Sequence, residues 1–388
     1  MLVINDETLS DAVELTRSLV RIPSMNPPGN EDEIADFVQD VLQGVGIEST
    51  RVPLEKGRSS IVARIPGKNS GSIVLCGHLD TVRADEHEWS HPPFAAELEG
   101  DRIYGLGAAD MKSGVAVILQ IARELVQQGI TPEQDVVLAL TADEEHAYRG
   151  AATVAKSGLI DDAKFLFIAE PTGGNGYIGQ KGELWVEATF TGKAAHGSVP
   201  ELGRSAILPA ARFILSLQEE ARDWLPAPGR GRTSLNIGEI RGGTQVNIVP
   251  AQTMVRIDSR TVSQAARDEV LEAIERLGNE AARAGGTRFS MKVLNDKAPI
   301  VSDPQGPWIR RFLQAVYPGR EVSPEIAPYS TDAVSIIPVL GIPVGIYGPG
   351  SIAQAHQPDE YVEIGSIHAA LQVLARFIND GSTYNKVR

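Results

Sequence analysis

Apolar side chains recur at helical spacing over residues 8–21, where Leu9, Ala12, Val13, Thr16, Leu19 and Val20 share one face, and Pro23 with the following NPPGN ends that helix. Strand-sized apolar runs then alternate with helical patterns. Strands are predicted at 59–65, 72–77, 135–141 and 164–169, and helices at 112–128 and 149–157. That order is α/β. The style changes after Tyr177: ELWVEATFT alternates strictly, a helix is predicted over 204–222, strands fall in TSLNIGEI and TMVRIDS, and a further helix spans 263–283. Beyond Lys292 the α/β style resumes with helices at 305–317 and 331–337, the apolar strand IPVGIY and a last helix over 365–379. The expected architecture is an α/β domain of residues 1–179 and 293–388, interrupted by a smaller α+β domain of residues 180–292.

The 388 residues suit two domains of ordinary size, and 42% apolar with 22% charged residues fits globular proteins. No apolar run approaches the ~18–20 residues that span a bilayer, and the acidic start MLVINDETLSDAVELTRSLV does not read as a signal peptide. No membrane association is expected. A lone cysteine, Cys76, cannot make an internal disulfide, which points to the reducing cytoplasm. The net charge of −14 argues against a nucleic-acid partner, so an anionic substrate has to meet locally placed positive charge. The sequence shows no internal repeat or low-complexity tract.

Metal-ligand residue types fall just after the apolar strands: His78 and Asp80 after SIVLCG, Glu144 and Glu145 after VVLALTAD, Glu170 after FLFIA, and His356 a short loop beyond IPVGIYGPG. Open α/β sheets build sites at the carboxyl ends of their strands, so these groups can converge. Asp110, in GLGAADMKSG just before a helix, joins them, although alone it reads equally as a helix N-cap. Positions 78 and 80 share a side of an extended segment, which lets the Asp80 carboxylate orient the His78 imidazole. Glu144 and Glu145 are either plain surface acids or a pair in which one binds a cation and the other exchanges protons with water. His368 lies among Ile367, Leu371 and Leu374 and reads as packing. Two imidazoles and three carboxylates form an N/O donor set that suits zinc, with cobalt or manganese as substitutes. Five ligands are too many for one catalytic zinc. Two Zn²⁺ ions per chain, three carboxylates and one bridging hydroxide balance in charge.

In this order and spacing, GHLDTV, GAADMKSG, TADEE, EPT, GKAAHGSVP and AHQPDEY resemble the dinuclear zinc exopeptidases and deacylases, a family that includes acetylornithine deacetylase, succinyl-diaminopimelate desuccinylase and glutamate carboxypeptidase. The resemblance covers essentially the whole chain. It implies a zinc-exopeptidase-like catalytic domain with a mixed sheet, and a lid and dimerisation domain at 180–292. It further implies that Asp110 bridges both metals, that His78 and Glu170 complete one site, that Glu145 and His356 complete the other, and that Glu144 is the general base. A cis peptide between Asp110 and Met111 is implied too. His196 is expected to reach the active site of the partner subunit in a homodimer, and Asn247 and Arg260 match substrate-contacting positions. A guanidinium can hold a carboxylate bidentately, while the plain alternative for Arg260 is a surface salt bridge. Leu106 stands where relatives often carry Arg, and Ser113 where many carry Gly.

The resemblance implies a zinc-dependent amidohydrolase of small N-acyl amino acids. PGSIAQAHQPDEY looks closest to the acetylornithine deacetylase type, so the expected reaction is N-acetylornithine to ornithine and acetate. Desuccinylase, other deacylase, carboxypeptidase and dipeptidase activities stay open. A non-catalytic binding protein on the same fold is the reading from another class, disfavoured because the base and all five ligands are present.

Overall fold

The structure, a computed structural model, describes residues 1–379. The described residues form two units: Met1–Gly179, Val301–Glu325 and residues 331–379 make the first, and Gln180–Ile300 with Ile326–Ser330 the second.

Unit 1 opens with α1 (Asp6–Val20), α2 (Asp32–Gln43), β1 (Ser49–Glu55), β2 (Arg58–Ile65) and β3 (Asn69–His78). Short strands β4 (Glu97–Glu99) and β5 (Arg102–Tyr104) precede α3 (Ser113–Gln127), β6 (Gln134–Thr141), α4 (Arg149–Ala155), β7 (Ala163–Pro171) and β8 (Tyr177–Gln180). Its sheet runs β1, β2, β6 and β3, then β7. β3 is parallel to both β6 and β7, whereas β1 and β2 join antiparallel at one side. Parallel strands are covered on both faces, which is why SIVLCG and VVLALT read as unbroken apolar runs rather than alternating ones.

Besides the short strands β4, β5 and β8, two longer elements here escape the hydrophobic pattern. α2 buries Ile34, Ala35, Val38 and Leu42 through an amphipathic stretch directly behind the NPPGN breaker. β1 carries Pro53, and as an edge strand it tolerates a residue that cannot donate to a ladder.

Unit 2 contains β9 (Gly182–Thr191), α5 (Ile207–Asp223), β10 (Ser234–Gly242), β11 (Gln252–Thr261), α6 (Gln264–Gly285) and β12 (Arg288–Lys297). The four strands form an antiparallel sheet in the order β10, β11, β9, β12. The alternation in ELWVEATFT has its cause here: Leu184, Val186, Ala188 and Phe190 face α5 and α6, while Trp185 on the opposite face is exposed. Lys292, where the sequence reading ends the insertion, falls inside β12, so the unit runs on to Ile300. The rings of Phe190, Phe213 and Phe289 meet with centroids 5.2–6.0 Å apart. Phe190→Ala is expected to cost about 3–5 kcal/mol of unit 2 stability. Chemical denaturation followed by Trp fluorescence checks this, and a loss below ~1 kcal/mol would mean the cluster is not a packed core.

The chain then adds β13 (Ile300–Val301), α7 (Pro307–Val316), β14 (Glu325–Ala327), α8 (Ala333–Leu340), β15 (Val344–Gly348), β16 (Tyr361–Glu363) and α9 (Ile364–Asn379). β15 extends the parallel part of the unit 1 sheet beside β7, and β16 pairs with β5. Among the described residues, no helix is long and apolar enough to cross a membrane.

Candidate active site

Four parallel strands, β3, β6, β7 and β15, end side by side, and their carboxyl ends carry the candidate groups. The register pairs His78 with Thr141 and Cys76 with Ile168, so the ends of β3, β6 and β7 lie level. Gly114 opens α3 against β7: a Cβ there would lie 2.1 Å from the carbonyl oxygen of Ala169, the residue before Glu170. Only glycine permits that approach.

Two groups of ligand atoms result, each within 4.8 Å of one another: His78, Asp110 and Glu170, and Asp110, Glu145 and His356. Asp110 belongs to both. Its Oδ1 lies 3.0 Å from His78 Nε2 and its Oδ2 lies 3.5 Å from His356 Nε2. Glu170 Oε1 lies 3.8 Å from His78 Nε2, and Glu145 Oε2 lies 3.0 Å from His356 Nε2. The peptide between Asp110 and Met111 is cis. The donor set is all imidazole and carboxylate, and Glu145 Oε1 is buried with no hydrogen-bond partner. An orphaned buried oxygen beside a shared carboxylate fits a divalent cation.

The electrostatics agree. Burial pushes the carboxyl of Glu144 well above the usual carboxylate range; His78 opposes this, and Glu170 and Glu145 reinforce it. Glu170 is driven the same way by burial and by Asp110. Burial alone would lower the His78 imidazole, yet its bond to Asp110 and the nearby Glu170 and Glu144 hold it well above its ordinary value. The bond to Glu145 lifts His356 to about 9. Raised carboxyls and raised imidazoles at such short range reflect a buried concentration of negative charge, the environment that suits a divalent cation. Cys76 is buried and its thiol pushed up by burial and Asp332, so it is a small protonated packing residue.

The structure corrects the expected role of Asp80. His78 Nδ1 makes its 2.8 Å contact to the backbone carbonyl of Asp80, while the carboxylate Oδ1 stays 3.8 Å away. The carboxylate instead accepts the backbone N–H groups of Glu144 at 3.1 Å and Glu145 at 3.2 Å. Asp80 therefore shapes the turn that presents both glutamates. Asn26 completes this turn. Its Nδ2 donates to Asp80 Oδ2 at 2.9 Å and to Asp143 Oδ1 at 3.1 Å. Asp143, at φ +66°, is fixed by Arg149 and Arg58, and Arg58 also pairs with buried Glu31. Sequence reading passed over Asn26 and Asp143; an Asn preceding two prolines and an Asp preceding two glutamates were the available signals. Leu106 and Ser113 are both buried in the loop around Asp110.

Unit 2 holds the remaining candidates. His196 is exposed, with Nδ1 2.8 Å from Ser198 Oγ. The loop carrying it pairs with the loop carrying Asn247, through Gly197 N to Asn247 O at 2.7 Å and Val249 N to Ala195 O at 2.8 Å. Arg260 sits elsewhere on this unit's sheet, where Nη1 reaches Glu183 Oε2 at 2.7 Å and Nε lies 3.1 Å from Asp258 Oδ1. Its guanidinium thus has intramolecular carboxylate partners, as in the salt-bridge alternative.

Comparison with known proteins yields a consistent picture. The model of peptidase family M20/M25/M40 matches residues 74–380. A probable succinyl-diaminopimelate desuccinylase of Staphylococcus aureus (strain MSSA476) is 28% identical over 388 residues, covering 91% of this chain and 93% of the relative. The acetylornithine deacetylase of Proteus mirabilis (strain HI4320) is 29% identical, covering 95% of this chain and 96% of the relative. The crystal structure of a tripeptidase from Staphylococcus aureus superposes with a TM-score of 0.78 at 21% identity, over 95% of this chain and 97% of that one.

Proposed function

The chain belongs to peptidase family M20/M25/M40 and is a metallohydrolase, and from that premise we propose that it hydrolyses the amide bond of an N-acyl amino acid, N-acetylornithine first among them, to ornithine and acetate. The observation that carries this reading is the Asp110 carboxylate, whose two oxygens face two separate imidazole–carboxylate sets. His78, Asp110 and Glu170 would hold one ion and Asp110, Glu145 and His356 the other. Zinc suits the donors, with cobalt or manganese as substitutes. Bound there, the ions polarise the amide carbonyl and lower the pKa of water.

The chain's own groups do the rest. Glu144 takes a proton from the attacking water and returns it to the leaving amine; burial, by making its ionised form less favourable, raises its basicity for the first step and its capacity to hold the proton for the second. Asp80 and Asn26 fix the turn from which Glu144 projects. His196, supplied by the partner subunit of a homodimer, donates to the developing oxyanion, and Asn247 on the adjoining loop contacts substrate. Arg260 anchors the substrate carboxylate if it exchanges Glu183 or Asp258 for it.

His196→Ala is expected to lower kcat by ~10²–10³ and to leave metal content intact; loss of metal on this substitution would contradict the assignment. The acyl group is tested by supplying zinc-loaded protein with N-acetylornithine, N-succinyl-diaminopimelate, other N-acetyl amino acids and dipeptides, with a chelated control. Dominance of N-acetylornithine, abolished by chelation, is the expected result. Preference for the succinyl substrate, the activity named for the Staphylococcus aureus relatives, would keep the mechanism and change the substrate.

A further inference from the structure

Glu360 follows His356 by four residues and is buried, yet the mechanism above does not use it. Its Oε2 accepts the backbone N–H of Gly107 at 2.9 Å, and its Oε1 accepts those of Ala109 at 2.8 Å and Asp110 at 2.9 Å. Its own carbonyl accepts Gly105 N at 2.9 Å. One residue thus holds the whole segment from Gly105 to Asp110. Gly107, at φ +78°, supplies the left-handed turn in this segment. The clamp is fixed on its other side as well. Asp359 Oδ1 accepts Ser90 N at 2.7 Å and His91 N at 2.9 Å, and Tyr361, the residue after Glu360, enters β16 opposite Tyr104.

We propose that Glu360 is a positioning residue for the shared ligand: its carboxylate locks the backbone of Asp110 to the segment that follows His356, and so sets the spacing of the two metal-binding triads. The inference rests on the reading of Asp110 as a ligand common to both metals. The chemistry requires a carboxylate. Two oxygens meet three backbone donors, and these bonds favour the ionised form against the burial that pushes this carboxyl up to about 8. A glutamine would turn its NH₂ toward one of these N–H groups and leave that donor buried without an acceptor. Groups that orient metal ligands from behind are commonly worth ~10–100-fold in metal affinity or activity.

The test compares the unsubstituted chain with Glu360→Gln and Glu360→Asp, the second keeping the charge on a shorter arm. Zinc affinity is measured by competition with a chromophoric chelator, the visible spectrum is recorded after cobalt loading, and kcat and KM are separated. All measurements are made well below the melting temperature of each metal-free protein. Glu360→Gln is expected to weaken binding of at least one ion by ~10–100-fold, to alter the cobalt spectrum, and to lower kcat with KM little changed. Glu360→Asp should lie between, and it carries the test if the glutamine variant does not fold. Unchanged affinity and an unchanged cobalt spectrum in these variants, even with a lower melting temperature, would reduce Glu360 to a structural residue and overturn the proposal. Failure of the unsubstituted chain to bind two ions would instead bring down the metal reading itself, and this inference with it.

Discussion

Glu144→Gln is expected to bind about two metal ions per chain and to lose turnover by ~10²–10⁴-fold. The substitution keeps the side chain's size and leaves intact the backbone bond from Glu144 N to Asp80, so the turn that presents Glu145 should survive. What disappears is the group able to accept a proton from water and return it to the leaving amine. The environment argues for that role rather than for metal ligation. Glu144 belongs to neither ligand set, but it is buried with its carboxyl pushed up, against His78, by burial and by Glu170 and Glu145. Metal analysis and steady-state kinetics on the same preparation check the prediction. Residual activity near that of the unsubstituted protein would remove Glu144 as the base.

Asp110→Ala is expected to have the second large effect, through metal content rather than proton transfer. Each triad loses a ligand at once, because the same carboxylate serves both. It also leaves His78 and His356 without the oxygens 3.0 and 3.5 Å from their Nε2 atoms. Stoichiometry measured after dialysis should fall below one ion per chain, with hydrolysis at background. His356→Ala provides the contrast, since it removes a ligand from one triad and should leave the His78, Asp110 and Glu170 set able to hold an ion. Equal metal loss in the two variants would show that Asp110 is not shared.

Much of this site was legible because strand ends are marked in the sequence by apolar runs, and the ligands stand directly behind them. His78, Glu145 and Glu170 fall together for that reason, His356 joins them from the loop beyond β15, and Asp110 comes from the segment before α3. The α/β order around an α+β insertion was legible from the change between unbroken apolar runs and strict alternation, as in VVLALT against ELWVEATFT. What the sequence hid depends on backbone direction. The carboxylate of Asp80 stays 3.8 Å from the imidazole it was expected to orient, because the turn after β6 offers two N–H groups that it accepts instead. Periodicity carries no trace of such a choice. Asn26 and Glu360 act through backbone amides of segments far away along the chain, which no local pattern encodes. Arg260 was read as matching a substrate-contacting position, with a surface salt bridge as the alternative; Glu183 on the neighbouring strand lies directly opposite it in the register, and cross-strand pairs of opposite charge are favourable. The end of the insertion was misplaced at Lys292 because the exposed residues of β12 dilute its apolar alternation.

The most direct measurement is anomalous diffraction at the zinc edge from crystals of zinc-loaded protein. Two peaks are predicted, each about 2.0–2.2 Å from one oxygen of Asp110, ~3.5–4 Å apart, one beside His78 and Glu170 and the other beside Glu145 and His356. A single peak, or peaks that do not share Asp110, would contradict the two-metal centre on which the proposed hydrolysis depends.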